Sequence, residues 1–148
     1  MEYYMFILNR TFLILYHSDF LIGIKVNGSV SIEIKSDFFT RSITSSLAIK
    51  GDLSNPNSYV KEENILKIKD YDLTDANIKA IDKANFMIQV ESISEIYYDS
   101  RKKWGMGYYP HDGKVYVKKK NGSKREFIIL GNQSGEKIAS SLRNNFKL

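Results

Sequence analysis

Cysteine is absent from the 148-residue chain, and proline, histidine and tryptophan are rare. Without cysteine the chain has no disulfides, no thiolate metal ligands and no cysteine nucleophile, which agrees with a reducing, cytoplasmic location. A zinc site needs three or four ligands, and His17 and His111 are the only imidazoles in the chain. The sequence therefore predicts neither a metal site nor a cofactor.

Long uninterrupted hydrophobic runs are also absent. Residues 3–24 are rich in apolar side chains, but polar residues at 9–10 and 17–19 divide them into pieces of strand length. A membrane-spanning helix needs roughly 20 consecutive apolar residues, and a signal peptide needs a basic start and a small-residue cleavage site. The segment therefore predicts two or three β-strands, with contact to a membrane or to another subunit left open.

A catalytic signature is missing as well. Residues 105–107 read Gly-Met-Gly, but they follow a predicted strand and lead into Tyr-Tyr-Pro instead of a helix, so they are not a dinucleotide fingerprint. These glycines are predicted to let the chain bend or pack beneath the ring of Trp104. The pair His111-Asp112 suggests a metal ligand or a general base, but residues 110–113 have the composition of a turn. The chain is therefore predicted not to be an enzyme.

Positive charge is concentrated in one region of the chain. The formal net charge is +5, yet between residues 101 and 125 nine Lys or Arg side chains accompany a single acidic one, a local balance of +8. The rest of the chain carries 13 basic and 16 acidic side chains, a balance of −3. Such a region is either a solvated hairpin whose lysines keep a sheet edge from aggregating, or a contact for an anion. The candidate anion-binding residues are Arg101, Lys102, Lys103, Lys118, Lys119, Lys120, Lys124 and Arg125.

The same region predicts a β-hairpin at residues 121–123, Asn-Gly-Ser. Because side chains alternate between the two faces of a strand, a three-residue loop places the apolar residues of both strands on one face, and a two-residue loop does not. The three-residue register pairs Val117 with Phe127, Val115 with Ile129 and Lys118 with Glu126, and it leaves Lys119 opposite Arg125 and Lys120 opposite Lys124. Like charges so close at the tip indicate that it stands in water or faces an anion.

Pattern arguments of the same kind divide the rest of the chain. Residues 27–29 predict a second three-residue hairpin, and the polar stretch 51–64 predicts a loop. Further strands are predicted at 30–36, 65–69 and 86–90 and from 93 toward 103, with a short helix from its cap at Asp72 or Thr74 to about Ala84. Ile138, Leu142 and Phe146 recur at helical spacing after a cap at Ser134 or Asn132, which predicts a final helix packed on the sheet.

A series of segments in the second half of the chain reads WGMGY (104–108), GKVYV (113–117), IILG (128–131) and SGEKIA (134–139), preceded by VESISEI (90–96). This series, within residues 86–146, resembles the bacterial pleckstrin-homology-like (PH-like) domains, although the membrane helices that precede many of those domains are missing. The resemblance implies a mainly β (α+β) fold, a curved antiparallel sheet in two packed layers closed by a C-terminal helix. The length of the chain predicts a single domain over residues 1–148, with the N-terminal strands within 1–36 left open as an extension.

A PH-like domain implies binding or scaffolding without chemistry, here for an unknown ligand. Through the basic hairpin the chain is expected to contact an anionic membrane surface or a protein partner, and a homo-oligomer is left open. The alternative is nucleic-acid binding, because Tyr108, Tyr109 and Tyr116 are interleaved with basic side chains, which suits base stacking combined with phosphate contact.

Overall fold

The computed structural model describes residues 10–27, 54–55, 74–104 and 110–148. The elements within these ranges, in chain order, are β1 (Thr11–Tyr16), β2 (Phe20–Asn27), α1 (Asp75–Ile81), β3 (Phe86–Gln89), β4 (Ile93–Asp99), β5 (His111–Lys119), β6 (Lys124–Leu130) and α2 (Gly135–Phe146). The prediction of a mainly β chain with a C-terminal helix is confirmed. The predicted strands at 30–36 and 65–69, the loop of the first hairpin beyond Asn27 and most of the 51–64 loop lie outside the described residues.

The strands form two antiparallel sheets of three strands each, β1-β2-β3 (sheet A) and β4-β5-β6 (sheet B). In sheet A, β1 and β2 form a hairpin in which Leu13 pairs with Ile24 and Tyr16 with Leu21. Residues 17–19 form the turn of this hairpin. The amide of His17 donates a 2.9 Å hydrogen bond to the carbonyl oxygen of Phe20. The polar interruption in the N-terminal apolar stretch is therefore a turn between two strands, as predicted.

The two sheets and α2 share one hydrophobic core. A short 3-10 turn, Val90–Ser92, leads from β3 in sheet A directly to β4 in sheet B, so the two layers are joined at this corner. Because side chains alternate along a strand, each sheet turns one set of apolar residues inward. The buried core residues are Phe12, Leu21, Phe86 and Ile88 from sheet A, Ile93, Ile96, Val115, Val117, Phe127 and Ile129 from sheet B, and Ala139, Leu142 and Phe146 from α2.

Helix α2 rests on sheet B as its apolar spacing predicts. Ser134 is the cap, since its hydroxyl oxygen accepts a 3.3 Å hydrogen bond from the amide of Lys137. Leu142 and Phe146 are buried, and Ile138 is half-buried against the same core. The Arg143 guanidinium donates a 3.0 Å hydrogen bond to the carbonyl of Ile96. That bond satisfies a main-chain acceptor of β4, which is an edge strand of sheet B among the described strands.

Helix α1 covers part of the other face of sheet A. Its residue Ile78 is fully buried and packs in a second cluster with Ile22, Ile24 and Val26 of β2. Of the two predicted caps it is Thr74 that begins the helix, because its hydroxyl oxygen accepts a 3.3 Å hydrogen bond from the amide of Asn77. The prediction of a short helix in this segment is confirmed, with its end at Ile81.

The predicted register of the second hairpin is wrong by two residues. In the structure Val115 pairs with Phe127, Val117 with Arg125 and Lys118 with Lys124. The loop does have three residues, but they are 120–122, closed by a 2.9 Å hydrogen bond from the amide of Gly122 to the carbonyl of Lys119. Both registers keep the apolar residues on one face, so alternation does not distinguish them. The decisive requirement is a left-handed residue at the third loop position, and Gly122 with φ 84° supplies it.

The predicted turn at residues 110–113 is also wrong, because His111, Asp112 and Gly113 belong to β5. The pairing of β5 with β6 is irregular between His111 and Lys114, as in a β-bulge. Gly113 has a positive φ of 58°, and a Cβ atom at this position would lie 2.3 Å from the carbonyl oxygen of Asp99. The residues typical of a turn form a β-bulge here, and Gly113 allows the backbone of β5 to approach the backbone of β4 closely.

Candidate functional site

The outer face of sheet B, which points away from the shared core, carries most of the charged groups of the basic region. Val115 and Val117 of β5 point into the core, so Tyr116 and Lys114 between and beside them lie on the outer face. Lys114 is 9% exposed although it is charged. A buried ammonium group requires carboxylate partners, so the acidic side chains of this face decide which basic residues remain available.

Two carboxylates on this face bind three of the basic side chains. Arg101 donates two hydrogen bonds to Asp99, of 2.8 Å from Nη2 to Oδ2 and 2.9 Å from Nε to Oδ1. Lys103 Nζ lies 2.5 Å from Glu126 Oε1, and Lys114 Nζ lies 3.6 Å from Asp99 Oδ2. Arg101 and Lys103, both candidate anion-binding residues, therefore already hold an anion of the protein itself.

The pKa values of both carboxylates follow from these contacts. The hydrogen bonds from the Arg101 side chain hold the pKa of Asp99 well below its ordinary value. The backbone amide of Arg101 and the charge of Lys114 lower this pKa as well. Burial by itself would raise the pKa of Glu126, but hydrogen bonds from Lys103 and Tyr116 outweigh that effect and lower it. Both groups are therefore charged at neutral pH and keep their basic partners paired.

Tyr116 sits in the centre of this network. Its hydroxyl donates a 2.7 Å hydrogen bond to Glu126, its ring stacks on Tyr97 with centroids 4.9 Å apart, and Lys124 Nζ lies 4.8 Å from the ring centroid. The side chain is only 8% exposed, and burial followed by the bond to Glu126 raises its pKa. Tyr116 therefore has no free ring face for a nucleic-acid base, and residues 108–109 lie outside the described residues.

The remaining charge gathers at the hairpin tip. Lys118 is 48% exposed and 3.7 Å from Glu95, a pair weakened by solvent. Lys118 also stands directly across from Lys124 on the neighbouring strand, where like charges repel. Within the described part of the chain no carboxylate lies within 4.0 Å of Lys119, Lys120 or Lys124. We call Lys119, Lys120 and Lys124 the tip lysines.

Two further candidate residues lie elsewhere. Lys102 is exposed in the segment after β4, beside the paired Arg101. Arg125 points toward the core, with its guanidinium carbon 3.7 Å from the centroid of the Phe86 ring. The structure thus places Lys118 directly across from Lys124 and leaves Lys119 and Lys120 next to them along the chain at the tip, whereas the linear charge count had merged all the candidates into one patch.

The only tryptophan is a second exposed feature. Trp104 follows Lys103 and is 90% exposed. The glycines predicted to let the chain bend or pack beneath its ring, residues 105–107, lie outside the described residues. Tryptophan is enriched at membrane–water interfaces, where its ring meets apolar chains and its N–H meets water. No helix among the described residues is long and apolar enough to cross a bilayer.

A serine, a histidine and an aspartate meet at residues 17–19, but not as a catalytic triad. The Ser18 hydroxyl is 3.0 Å from His17 Nδ1, and the Asp19 carboxylate is 3.8 Å from that same nitrogen. In a triad the carboxylate and the nucleophile use opposite ring nitrogens. His111 accepts a 3.1 Å hydrogen bond from the amide of Lys103. Among the described residues no three His, Asp or Glu side chains are grouped as metal ligands.

Asp112 in the β5 bulge ties the sheet to the start of α2. Its Oδ1 accepts a 2.7 Å hydrogen bond from the Tyr98 hydroxyl, and its Oδ2 accepts a 2.8 Å hydrogen bond from the amide of Gly135. The hydrogen bond from Tyr98 and then that from Gly135 lower the pKa of Asp112, and the bond to Asp112 raises the pKa of Tyr98 to about 12. The sequence had suggested a turn residue or a catalytic base here, but the geometry is that of a structural anchor.

We expect Asp112→Asn to lower the free energy of unfolding by about 1–3 kcal/mol at pH 7, because the amide offers one acceptor to two donors. The folded-state pKa of Asp112 lies below its unfolded value of 3.8, so the stabilisation is present above pH 3.8 and is lost as the pH falls through the folded pKa. Urea titrations from pH 7 to pH 2 should therefore show the variant and the wild type converging below pH 4. Glu91→Gln, at an exposed carboxyl group, is the control. A difference in unfolding free energy between Asp112→Asn and the wild type that stays constant from pH 7 to pH 2 would contradict the anchoring role of the Asp112 carboxylate.

A cavity lies between β1, α2 and the inner face of sheet B, and sequence reasoning missed it. Its volume is about 380 Å³, and its lining includes Phe12, Phe127 and Leu142 together with Thr11. Thr11 is 1% exposed, and its hydroxyl is the buried side-chain polar atom that lacks a hydrogen-bond partner among the described residues. The single sequence signal was a threonine at the start of an otherwise apolar strand.

Comparison of the chain with protein-family models, with curated proteins and with solved structures finds no match.

Proposed function

We propose that this chain is a non-catalytic, PH-like binding domain that contacts an anionic membrane surface through its hairpin tip, in the cytoplasm. The observation that carries the proposal is the group of three tip lysines, which have no carboxylate partner within the described residues and of which Lys124 lies directly across from Lys118. Two packed antiparallel sheets followed by a C-terminal helix are consistent with the PH-like resemblance.

Electrostatics favour an external anion at this tip. Each lysine near an anionic bilayer contributes about 1 kcal/mol, so three together contribute about 3 kcal/mol, a factor of roughly 100 in binding. The attraction decays within about 8 Å at physiological ionic strength, so binding should be salt-sensitive. The exposed indole of Trp104 suits the interface between lipid and water, but its neighbour Lys103 bonds His111 at the end of β5 away from the tip, so the tip lysines alone carry the proposal.

Nucleic-acid binding is less well supported than membrane binding. The stacking that it requires from Tyr116 is blocked, because that ring is 8% exposed and already lies on Tyr97. The tip lysines suit phosphate contact equally well, so the experiment below includes a single-stranded DNA arm.

Changing all three tip lysines to glutamate is expected to abolish co-sedimentation with vesicles that contain phosphatidylserine. The wild type should bind these vesicles at low salt and dissociate from them as the salt concentration rises. It should not bind neutral phosphatidylcholine vesicles. Each Lys→Glu change removes two charge units, so the triple variant takes the net charge from +5 to −1. The melting temperature should change little, because no ion pair of the described residues involves the tip lysines and the contact of the exposed Lys124 with the Tyr116 ring is a weak one.

A second triple variant separates a local surface from net charge. It carries three Lys→Glu changes at exposed positions away from the tip, and the positions are Lys79, Lys83 and Lys147. This control should retain most of the vesicle binding although its net charge is also −1. Equal loss in both variants would show that bulk charge alone drives binding, and retention on DNA without retention on vesicles would favour the nucleic-acid alternative.

A further inference from the structure

The cavity beside α2 is large enough to hold a small molecule. Protein interiors are close-packed, and voids larger than a water molecule are few. This cavity of about 380 Å³ falls within the range of small-molecule sites. At the roughly 30 Å³ that one water occupies in the liquid, it has room for about a dozen non-hydrogen atoms. Its buried walls are mostly aliphatic and aromatic, formed by residues such as Phe12, Val115 and Phe127.

The polar lining residues mark the mouth of the cavity. They are Tyr16, Gln133, Lys137 and Ser141, and each is at least partly exposed, whereas the apolar residues of the sheets beneath them are mostly buried. Among the described residues of the lining, Lys137 is the charged one and none is a carboxylate. The Tyr16 hydroxyl lies 3.4 Å from the Ser141 hydroxyl across the opening. An apolar interior with one cation at its mouth is complementary to an amphiphile with an anionic head.

The Thr11 hydroxyl is an independent sign of a ligand. It is buried in a lining residue, and leaving a hydroxyl without a partner in an apolar interior is unfavourable. A polar atom on the buried part of a ligand would supply the missing hydrogen bond. The remaining polar lining residues are at the mouth, so this requirement belongs to the buried portion of the ligand and not to its head.

We propose that the cavity binds a single-chain carboxylic amphiphile of about ten to twelve carbons, with its carboxylate at Lys137 and a hydroxyl or keto group on its chain bonded to Thr11. This site is separate from the tip lysines and does not depend on the membrane contact proposed above. Charge complementarity at the mouth selects an anion, and the volume limits the chain length.

Calorimetric titration of the full chain with octanoate, decanoate, dodecanoate and tetradecanoate, each below its micelle concentration, tests the cavity. Affinity should rise about fourfold per methylene until the cavity is filled, near decanoate or dodecanoate, and then level off. The methyl NMR signals of Ile14 and Leu142 should shift at saturation with a stoichiometry of one. Absence of saturable binding by every chain length, or affinity that rises without levelling off, would overturn the proposal.

Variants separate the cavity from adsorption elsewhere. Ile14→Trp fills the cavity from β1 and should abolish binding, while Leu15→Trp on the same strand, a residue outside the lining, should retain it. If Ile14→Trp fails to fold, Ile138→Trp fills the same space from α2. Lys137→Ala should weaken decanoate about two- to fivefold and leave decanol unchanged, with Lys83→Ala as the matched lysine control. Equal effects of Lys137→Ala on the acid and the alcohol would overturn the placement of the head group.

Hydroxydecanoates with the hydroxyl at successive chain positions test the role of Thr11. One isomer should bind about fivefold more tightly than decanoate, the effect of one hydrogen bond, and Thr11→Val should remove that advantage without weakening decanoate itself. Because Val has nearly the shape of Thr, the ligand-free variant should be at least as stable as the wild type. If no isomer gains affinity, or if Thr11→Val lowers the melting temperature, the hydroxyl already has a partner and its assignment to the ligand is wrong.

Discussion

Replacing Gly113 with alanine should lower the free energy of unfolding by about 3 kcal/mol or more, because two penalties act at one position. The residue has φ 58°, a conformation that costs an L-amino acid with a side chain roughly 1–2 kcal/mol. The new Cβ would also lie 2.3 Å from the carbonyl oxygen of Asp99 and 2.9 Å from the Cα of Ser100. These are backbone atoms of the last residue of β4 and of the residue after it, so β4 and β5 would have to move apart at this point.

Gly122→Ala isolates the conformational part of that penalty. Gly122 also has a positive φ, 84°, but nothing lies within 4 Å of a Cβ atom placed there. The decrease in unfolding free energy caused by Gly122→Ala should therefore stay near the 1–2 kcal/mol expected of backbone strain alone. Urea denaturation of both variants measures the difference, and equal losses would show that the bulge yields to the extra atom. A large loss at Gly113 should also shift the NMR signals of Asp99 and Lys114, which pair beside the bulge.

Leu142→Ala should lower the free energy of unfolding by about 2–5 kcal/mol, the range for emptying a buried leucine site. Leu142 is 5% exposed and belongs to the core shared by α2 and both sheets. It also lines the cavity, so truncation enlarges a void that the surrounding side chains already leave open. The cost rises with the volume left empty, and we therefore expect little relief from collapse.

Leu148→Ala provides the matched control, because Leu148 is 47% exposed just after the end of the same helix. Its effect should remain within about 0.5 kcal/mol, as at other surface positions. Thermal and urea unfolding of the two variants compare the same side-chain truncation inside and outside the core. A loss below about 0.5 kcal/mol for Leu142→Ala would mean that α2 is not docked on the sheet.

Local chemistry was enough to predict most of the described elements. The polar interruption at residues 17–19 marks a turn because two apolar strands on either side of it bury their faces together. Thr74 and Ser134 begin helices because their side chains satisfy amides that the helix itself leaves unpaired. The spacing of Leu142 and Phe146 placed the buried stripe of α2 correctly. Each of these features depends on residues that are close in the chain.

The register of the second hairpin depended on a finer rule. Alternation correctly required an odd loop, but it allowed loops at 120–122 and at 121–123 equally. The left-handed position needed by the third loop residue selects the first, with Gly122 in that place. A shift of two residues preserves which side chains face the core, yet it changes every cross-strand neighbour, including the pairing of Lys118 with Lys124.

The candidate site was decided by tertiary structure. Nine basic residues close together in the sequence suggested one patch, but Glu126 lies 23 positions beyond its partner Lys103, and Arg125 turns toward the core to meet Phe86. The cavity beside Thr11 likewise arises only where β1, sheet B and α2 meet. The sequence by itself determined the composition, the turns, the helix caps and the apolar faces, because these follow from neighbours along the chain. Which charges are neutralised and where space is left empty depend on contacts between distant strands, whose distances and register exist only after folding.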